Sequence, residues 1–183
     1  MVIFLRHAEP LIDEGKSKDQ WELTEKAIKD TKINATFPHL NRINLIYTSP
    51  EMKALQTATI ISDQIKADLM ISADLKEVDH QVTKFMTNEE YLNMKNRYFY
   101  GDYPGEKIHQ AFYRIYSFMS RIESLHPDKE ILLVSHGTLL ATLFGKMKEL
   151  HPEKMYDSWK NLSFLSWGWI IGGRISKSIF DRV

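Results

Sequence analysis

The sequence predicts an α/β fold with a mostly parallel central sheet. Short runs of β-branched and other apolar residues alternate with longer stretches of helical periodicity along the 183 residues, which is the pattern of successive βα units. The runs at 2–5 and 130–134 are continuous rather than alternating, as expected for strands that helices bury on both faces. We therefore expect a three-layer sandwich with helices on both faces of the sheet and a catalytic crevice at the carboxyl ends of its strands.

The first half of the chain contains two predicted βα units. In chain order they consist of a strand at 2–5, a weak helix that opens at 23–26, a strand at 43–48, a second helix and a partly alternating strand at 69–75. Ser49 and Pro50 predict the start of the second helix, because serine is a favoured N-cap and proline a favoured first helical residue. The apolar face of this helix is expected to contain Leu55, Ala58, Ile61 and Ile65.

The second half of the chain resumes this pattern after an irregular stretch. Residues 80–105 are polar but rich in aromatic side chains, and they show no clean period. We expect them to be an insertion within a single domain of residues 1–183, either as a lid or as a packed excursion. The predicted elements that follow are a long helix with apolar positions from 108 to 125, a strand at 130–134, a helix at 138–150 and a hairpin at 164–180 that turns at Gly172-Gly173.

The composition limits the range of partners. The chain has 24 lysine and arginine residues against 24 aspartate and glutamate residues, so it has no overall positive field to attract nucleic acid or an anionic membrane. The absence of cysteine rules out disulfides, a thiolate nucleophile and a thiolate zinc site. The apolar run at 2–5 is too short for a signal peptide or a membrane span. We expect a cytoplasmic protein with a small ligand site, and the sequence leaves the oligomeric state open.

Two of the seven histidines occupy equivalent places at the ends of predicted strands. His7 is preceded by Arg6 after the first strand, and His136 is followed by Gly137 at a predicted helix start. Because parallel strands end at one edge of the sheet, we expect these side chains to be neighbours, and the N–H groups of that helix start favour an anion. The other histidines lie in predicted loops or helices: His39, His80, His109, His126 and His151.

Lys53 is a second indication of an anion site. It lies in the first turn of the helix after Ser49, where the helix macrodipole disfavours a cation unless an anion is near. Taken singly, each histidine or lysine is more often a capped or solvated side chain. A pocket with Arg6, Lys53 and His136 around His7 would instead hold a tetrahedral anion next to a nucleophile, which is the arrangement for phosphoryl transfer through a phosphohistidine.

The motifs of the chain resemble those of the histidine phosphatase superfamily, also called phosphoglycerate mutase-like proteins. The resemblance covers almost the whole chain, and six short motifs occur in the order of the family. The matching segments are Leu5-Arg6-His7-Ala8-Glu9, Leu23-Thr24-Glu25-Lys26-Ala27, the run from Ser49-Pro50 to Thr57-Ala58, Leu75-Lys76-Glu77, Pro104-Gly105-Glu106 and Val134-Ser135-His136-Gly137.

The resemblance implies a role for each matching residue. His7 would be the nucleophile that takes the phosphoryl group, with Arg6 and His136 on its oxygens, Lys53 and Gly137 as further phosphate-binding residues, and Glu77 as the proton donor. No metal and no cofactor would be required, and the substrate would be a small phosphorylated metabolite or a phosphopeptide. A proton donor at this position needs a pKa above the usual ~4.3 of glutamate, and we expect burial or the nearby Asp79 to provide that rise.

Two departures from the family pattern keep other functions open. Lys53 stands where the family has arginine, and a lysine cannot grip a phosphate in a planar bidentate manner. Asp13 stands where the family often has asparagine, and its carboxylate would repel a phosphate unless it turns away. The alternatives are a binding protein of the same fold with weak or no catalysis, a mutase, and a metal hydrolase with ligands from His7, Glu9, His136 and either Glu77 or Asp79.

Overall fold

The computed structural model describes residues 1–36, 40–81 and 86–181, and these residues confirm the α/β fold class. His39 and Phe85, which belong to the predicted loop histidines and to the aromatic stretch, lie outside the described residues. The strands of the described part are β1 (Val2–Arg6), β2 (Ile43–Thr48), β3 (Asp68–Ile71), β4 (Glu130–Ser135), β5 (Trp167–Ile171) and β6 (Arg174–Lys177).

The helices of the described part lie between the strands, one each after β1 and β2 and two each after β3 and β4. They are α1 (Glu25–Asn34), α2 (Met52–Ile65), α3 (Asn88–Phe99), α4 (Ile108–Leu125), α5 (Gly137–Met147) and α6 (Pro152–Lys160). Within the same part of the chain, none of these helices is both long and apolar enough to cross a lipid bilayer.

The described strands form a six-stranded sheet in the order β3-β2-β4-β1-β5-β6. The four strands β1 to β4 run parallel, whereas β5 pairs antiparallel with β1 and β6 antiparallel with β5. In this register Arg6 lies opposite Ser135, and Thr48 lies opposite Val134. The residues that follow β1, β2 and β4 therefore meet at one edge of the sheet, and this edge positions the candidate site.

Each face of the sheet is covered by its own hydrophobic core, which confirms the three predicted layers. Alternate residues of β1 point to opposite faces, as the two-residue period of a strand requires. Ile3 and Leu5 pack with the apolar face of α2. Val2 and Phe4 pack on the opposite side, where helices α3 to α6 contribute most of the larger core.

Several element boundaries differ from the sequence prediction. Helix α2 begins at Met52 and has Glu51 rather than Ser49 as its N-cap. The Ser49 hydroxyl accepts the backbone N–H of Glu51 and also contacts His136 across the sheet edge. The strand predicted at 69–75 ends at Ile71 and is followed by a 3-10 turn at Ala73–Leu75. Helix α6 was not predicted, because its apolar face consists mainly of the buried Met155 and Trp159.

The irregular stretch at 80–105 contains helix α3. This helix was not predicted, because the aromatic residues of the stretch show no clean helical period. Thr87 caps this helix in a capping box with Glu90, and Met94, Tyr98 and Phe99 are buried in the larger core. Of the two alternatives expected for this stretch, the packing of α3 agrees with a segment that packs on the core. A role as a lid stays a prediction.

The C-terminal hairpin is confirmed as β5 and β6. Gly172 and Gly173 connect the two strands with φ values of 55° and 74°, which glycine adopts without the steric penalty of a Cβ atom. The hairpin extends the sheet next to β1, and the segment just before it brings Leu162 and Phe164 against Arg6.

Candidate active site

His7 and His136 meet at the carboxyl edge of the sheet, as their places in the sequence predicted. Their ring centroids are 5.1 Å apart, and their exposed fractions are 5% and 0%. The backbone N–H of His7 donates to the carbonyl of Ser135 at 2.9 Å, which continues the β1–β4 pairing by one residue. The parallel register therefore fixes the two imidazoles as neighbours.

The surroundings of His7 fix its tautomer and its charge. Its Nδ1 lies 2.7 Å from the carbonyl oxygen of Ala8, and since a carbonyl only accepts, Nδ1 carries the proton and Nε2 keeps its lone pair. Burial, followed by the charges of His136, Arg6 and Lys53, lowers the pKa of His7 well below its usual value. His7 is therefore a neutral imidazole with a free Nε2 at neutral pH.

Arg6 lies against the start of α5 and the segment before β5. Its guanidinium donates to the carbonyl of Leu162 and lies 4.2 Å from the ring centre of Phe164. A Cβ on Gly137 would lie 3.1 Å from Arg6 Nε, so glycine at this position makes room for the guanidinium. Arg6 Nε is buried without a hydrogen-bond partner among the described residues, and a ligand oxygen would satisfy it.

His136 is the N-cap residue of α5 and is fully buried. Its Nε2 lies 2.8 Å from Ser49 Oγ, while its Nδ1 has no hydrogen-bond partner within the described part of the chain. Burial lowers the pKa of His136 to about 3 against the opposing charge of Glu77, and Lys53, Lys95 and Arg6 add to the decrease. His136 is therefore neutral and presents a second unsatisfied polar atom in the same pocket.

Lys53 lies in the pocket, but its ammonium is already bound by the protein. Its Nζ donates to Glu51 Oε2 at 2.7 Å and to the carbonyl of Lys18 at 2.8 Å. Glu51 is thus the anion that offsets the helix macrodipole at Lys53. The sequence prediction missed Glu51, although a carboxylate two residues before a lysine at a helix start was a usable signal.

Glu77 occupies the N-terminal end of α5, where a free anion was expected. Its carboxylate accepts the backbone N–H groups of Val78, Thr138 and Leu139 at 2.9 to 3.2 Å. Burial on its own would raise the pKa of Glu77, but the charge of Lys95, together with His136, His80 and the Val78 N–H, outweighs it and holds the pKa well below its usual range.

The expected rise in the pKa of Glu77 is therefore wrong for the ligand-free protein. The groups in contact with its carboxylate are the Lys95 ammonium and backbone N–H donors. Asp79, the carboxylate that was expected to raise it, instead accepts the N–H of Gln81 at 2.8 Å.

Lys95 on α3 is a member of the site that the sequence prediction missed. Its side chain is 1% exposed, and its Nζ lies 3.9 Å from Glu77 Oε2. The same Nζ donates to Thr138 Oγ1 and contacts His80 Nε2. The usable signal was its spacing, because Lys95 shares a helix face with Tyr91 and Tyr98, where an apolar residue is expected.

Lys18 and Asp13 come from the loop between β1 and α1. Lys18 Nζ lies 5.3 Å from the ring centre of Tyr91, which brings a further positive charge to the pocket. Asp13 accepts the N–H of Gly15 at 3.0 Å and lies 3.8 Å from Lys16 Nζ. The carboxylate of Asp13 therefore binds to residues of its own loop. These contacts do not support the expected repulsion between Asp13 and a phosphate.

The charges around the two histidines favour an anionic ligand. The cations Arg6, Lys18, Lys53 and Lys95 lie near the carboxylates of Glu51 and Glu77. Because the histidines are neutral, positive charge is in excess among these six side chains. Within the described part of the chain, no group of three or more His, Cys, Asp or Glu side chains is arranged to hold a metal ion.

A mostly parallel α/β sheet with two neutral histidines and several cations at its carboxyl edge is chemically suited to an anion such as a phosphoryl group. The chain belongs to branch 1 of the histidine phosphatase superfamily, whose profile matches residues 2–174. The uncharacterized phosphatase PhoE of Bacillus subtilis is 28% identical over 111 residues, which are 60% of this chain and 56% of PhoE. The match thus spans little more than half the length of that relative.

Solved structures show the same fold. YhfR of Bacillus stearothermophilus superposes with a TM-score of 0.77 at 21% identity, covering 97% of this chain and 94% of that chain. A phosphoserine phosphatase variant of Entamoeba histolytica in complex with phosphoserine gives 0.76 at 21% identity with the same coverage. The family match supports a phosphatase or a related function for the chain.

Proposed function

We propose that the protein hydrolyses phosphomonoesters without a metal ion, through a phosphohistidine on His7. The observation that carries this proposal is the bond between Nδ1 and the carbonyl of Ala8, which leaves Nε2 of His7 unprotonated inside a pocket of net positive charge. Nε2 attacks the phosphorus atom while the bond to the ester oxygen breaks. Arg6 Nε and His136 Nδ1 have no partner among the described residues. They would donate to the phosphoryl oxygens, His136 in the tautomer in which its Nε2 accepts a hydrogen bond from the Ser49 hydroxyl.

Glu77 is the proposed proton donor and acceptor. Its proton goes to the leaving oxygen in the first step, and its carboxylate then takes a proton from the water that attacks phosphohistidine, which releases phosphate and restores His7. Glu77 is ionised in the ligand-free protein, as its lowered pKa indicates. A bound phosphoryl dianion offsets the positive charges that keep Glu77 ionised. Substrate binding therefore raises the pKa of Glu77, so that the carboxyl can carry the proton that a donor needs.

The proposed substrate is a small phosphorylated metabolite or a phosphopeptide, and the proposed location is the cytoplasm. Structural neighbours include the phosphoserine phosphatase from Entamoeba histolytica and a mycobacterial glucosyl-3-phosphoglycerate phosphatase. Both names describe phosphomonoesters of small molecules, which favours a small metabolite over a peptide. The mutase reaction remains a less favoured alternative.

A binding protein without turnover is the second candidate function, and Lys53 is the observation that favours it. The ammonium of Lys53 is shared between Glu51 and the carbonyl of Lys18, so it has less capacity for a phosphate than the arginine of the family. In that case the pocket would bind inorganic phosphate and leave the ester bond intact.

Hydrolysis of p-nitrophenyl phosphate in the presence of a chelator separates these functions. We expect the wild-type protein to keep its activity in the chelator and His7→Ala to lose it. His109→Ala, a change of an exposed histidine on α4, serves as the matched control and should keep full activity. Loss of activity in the chelator would support a metal hydrolase, and phosphate binding without hydrolysis would support the binding protein.

The role of Glu77 predicts a dependence on the leaving group. Glu77→Gln should slow hydrolysis of an alkyl phosphate by roughly 10² to 10⁴-fold, the usual contribution of general acid catalysis. Hydrolysis of p-nitrophenyl phosphate should fall much less, because nitrophenolate leaves without a proton. Measurement of kcat for both substrates checks this, and equal losses would remove the acid role from Glu77.

A further inference from the structure

Lys95 is a buried cation that the proposed reaction does not use. It lies on α3 with a side chain that is 1% exposed, and its Nζ is 5.2 Å from the ring centre of Tyr91 and 5.7 Å from that of Trp159. Burial of an ammonium among aromatic rings is costly unless it is paired. Its partners are Thr138 Oγ1, His80 Nε2 and the Glu77 carboxylate. The Lys95 ammonium therefore lies next to the proposed proton donor.

Glu77 is surrounded by several charged or titratable groups, but their distances and charges differ. The groups that interact with it, apart from Lys95, are Arg6 from β1, Lys18 from the loop before α1, Glu51 at the start of α2, His80 after the 3-10 turn, Tyr91 and Tyr98 on α3 and His136 at the start of α5. Among the described residues, only Lys95 comes within ion-pair distance of the Glu77 carboxylate. His80 and His136 are neutral, since burial lowers the pKa of each to about 3.

We propose that Lys95 is a positioning residue for Glu77, a role that rests on the proposed function. Lys95 holds the carboxylate against the N-terminal end of α5 and stabilises its ionised form until a phosphoryl group enters the pocket. The phosphoryl dianion then shares the charge of Lys95, and Glu77 takes up the proton that the leaving group needs. Because Lys95 belongs to α3, this helix contributes to the protonation state of Glu77 as well as to the hydrophobic core.

The hydrogen bonds around Lys95 agree with this role. Thr138 donates its backbone N–H to Glu77 and accepts a hydrogen bond from Lys95 on its hydroxyl, so the first turn of α5 binds the carboxylate and the ammonium together. Burial lowers the pKa of Lys95 to about 8 against the opposing charge of Glu77. Lys95 is therefore still mainly protonated at neutral pH, where the ion pair is needed.

Titration of the Glu77 carboxyl by NMR in the ligand-free protein tests the proposal directly. Protein labelled with ¹³C at the glutamate carboxyl carbons is used, with the Glu77 signal assigned from Glu77→Gln. In the wild type, the signal should remain that of a carboxylate to the lowest pH at which the protein is folded. In Lys95→Met, an unbranched replacement that fills the same apolar space, the apparent pKa of Glu77 should be about 1 to 3 pH units higher.

Two further variants define the effect. Lys95→Arg keeps the charge and should keep the titration of the wild type, and Lys160→Met removes an exposed lysine on α6 and should change nothing at Glu77. If Lys95→Met does not fold, Lys95→Gln provides the neutral variant, because its amide can still bond to Thr138. An unchanged Glu77 titration in a folded neutral variant would overturn the proposal.

A kinetic measurement connects this role to the reaction. For an alkyl phosphate, kcat/KM should fall above the pH at which the donor Glu77 loses its proton, and this basic limb should move to higher pH in Lys95→Met and return in Lys95→Arg. A purely structural change would lower kcat/KM equally at every pH. Absence of hydrolysis by the wild type would contradict the proposed function, while the NMR titration would still decide the relation of Lys95 to Glu77.

Discussion

At the scale of single residues, Glu51 connects three parts of the pocket. Its Oε2 accepts a hydrogen bond from Lys53, and its Oε1 accepts the backbone N–H of Glu77 at 2.8 Å and lies 3.5 Å from His136 Nε2. Both partners of the Glu51–Lys53 pair have side chains that are 9% exposed. Removal of either charge from a buried pair leaves the other uncompensated, which is far more destabilising than the loss of a surface pair.

Glu51→Gln should therefore lower the free energy of unfolding by about 3 kcal/mol. The amide oxygen of glutamine can still accept the N–H of Glu77, so the main change is the lost charge beside Lys53. Asp30→Asn is the matched control, because Lys26 and Asp30 form an ion pair of the same 2.7 Å distance on the exposed surface of α1. Urea unfolding curves measure both changes, and similar midpoints for the two variants would contradict a structural role for the buried pair.

Inorganic phosphate should stabilise Glu51→Gln more than the wild type, since Lys53 then lacks its internal anion.

At the scale of elements, helix α5 contains two glycines with different tasks. A Cβ on Gly137 would lie 3.1 Å from Arg6 Nε, whereas a Cβ on Gly145 would lie 2.7 Å from Met155 Cε on α6. The first glycine therefore makes room for a pocket side chain, and the second lets two helices approach. The two positions form a natural pair for separating ligand binding from packing.

Gly137→Ala should weaken the binding of inorganic phosphate by about tenfold or more, the value of a charge-assisted hydrogen bond from Arg6, and should leave stability nearly unchanged. Gly145→Ala should show the opposite pattern. Its overpacking against Met155 costs about 1 to 3 kcal/mol, which exceeds the gain of about 1 kcal/mol in helix propensity. Calorimetric phosphate titration and urea unfolding of both variants check this, and equal phosphate affinities in the two proteins would contradict the account of Gly137.

The elements also show how far the sequence could predict the site. His7 and His136 were predictable because a continuous apolar run marks a buried strand, and the end of a parallel strand fixes where the next residue lies. Lys95 was not, because its meeting with Glu77 depends on the packing of α3 against the rest of the molecule. The charge state of Glu77 depends on the same packing, which explains why the expected rise in its pKa was wrong.

At the scale of the whole molecule, the site makes the fold sensitive to acid. His7, His80 and His136 have lowered pKa values because they are buried. An unfolded histidine takes up a proton below its usual pKa of about 6.5, and the folded one does so only at much lower pH. Unfolding therefore binds protons in that window, and stability falls as the pH decreases. Glu77, with its lowered pKa, adds to this loss below its unfolded value.

The free energy of unfolding should decrease by up to about 4 kcal/mol per pH unit below pH ~6, since each of the three histidines contributes about 1.4 kcal/mol. Urea unfolding at a series of pH values measures this slope. His80→Asn should reduce this slope by about 1.4 kcal/mol per pH unit, the contribution of one proton. His109→Asn, at an exposed position, should leave the slope unchanged. A stability that stays level from neutral pH to about pH 4 would contradict the neutral state of the buried histidines.

The central claim is that Nε2 of His7 takes the phosphoryl group, and trapping that intermediate is its most direct test. The protein is mixed with p-nitrophenyl phosphate in the presence of a chelator and quenched in alkali within the first turnover, because phosphohistidine is preserved in base. Intact-mass and peptide mass spectrometry should then show one added phosphoryl group on His7, which is absent in His7→Ala. Turnover of the substrate with a phosphoryl group on another residue, or with none on the protein under any quench time, would contradict the claim.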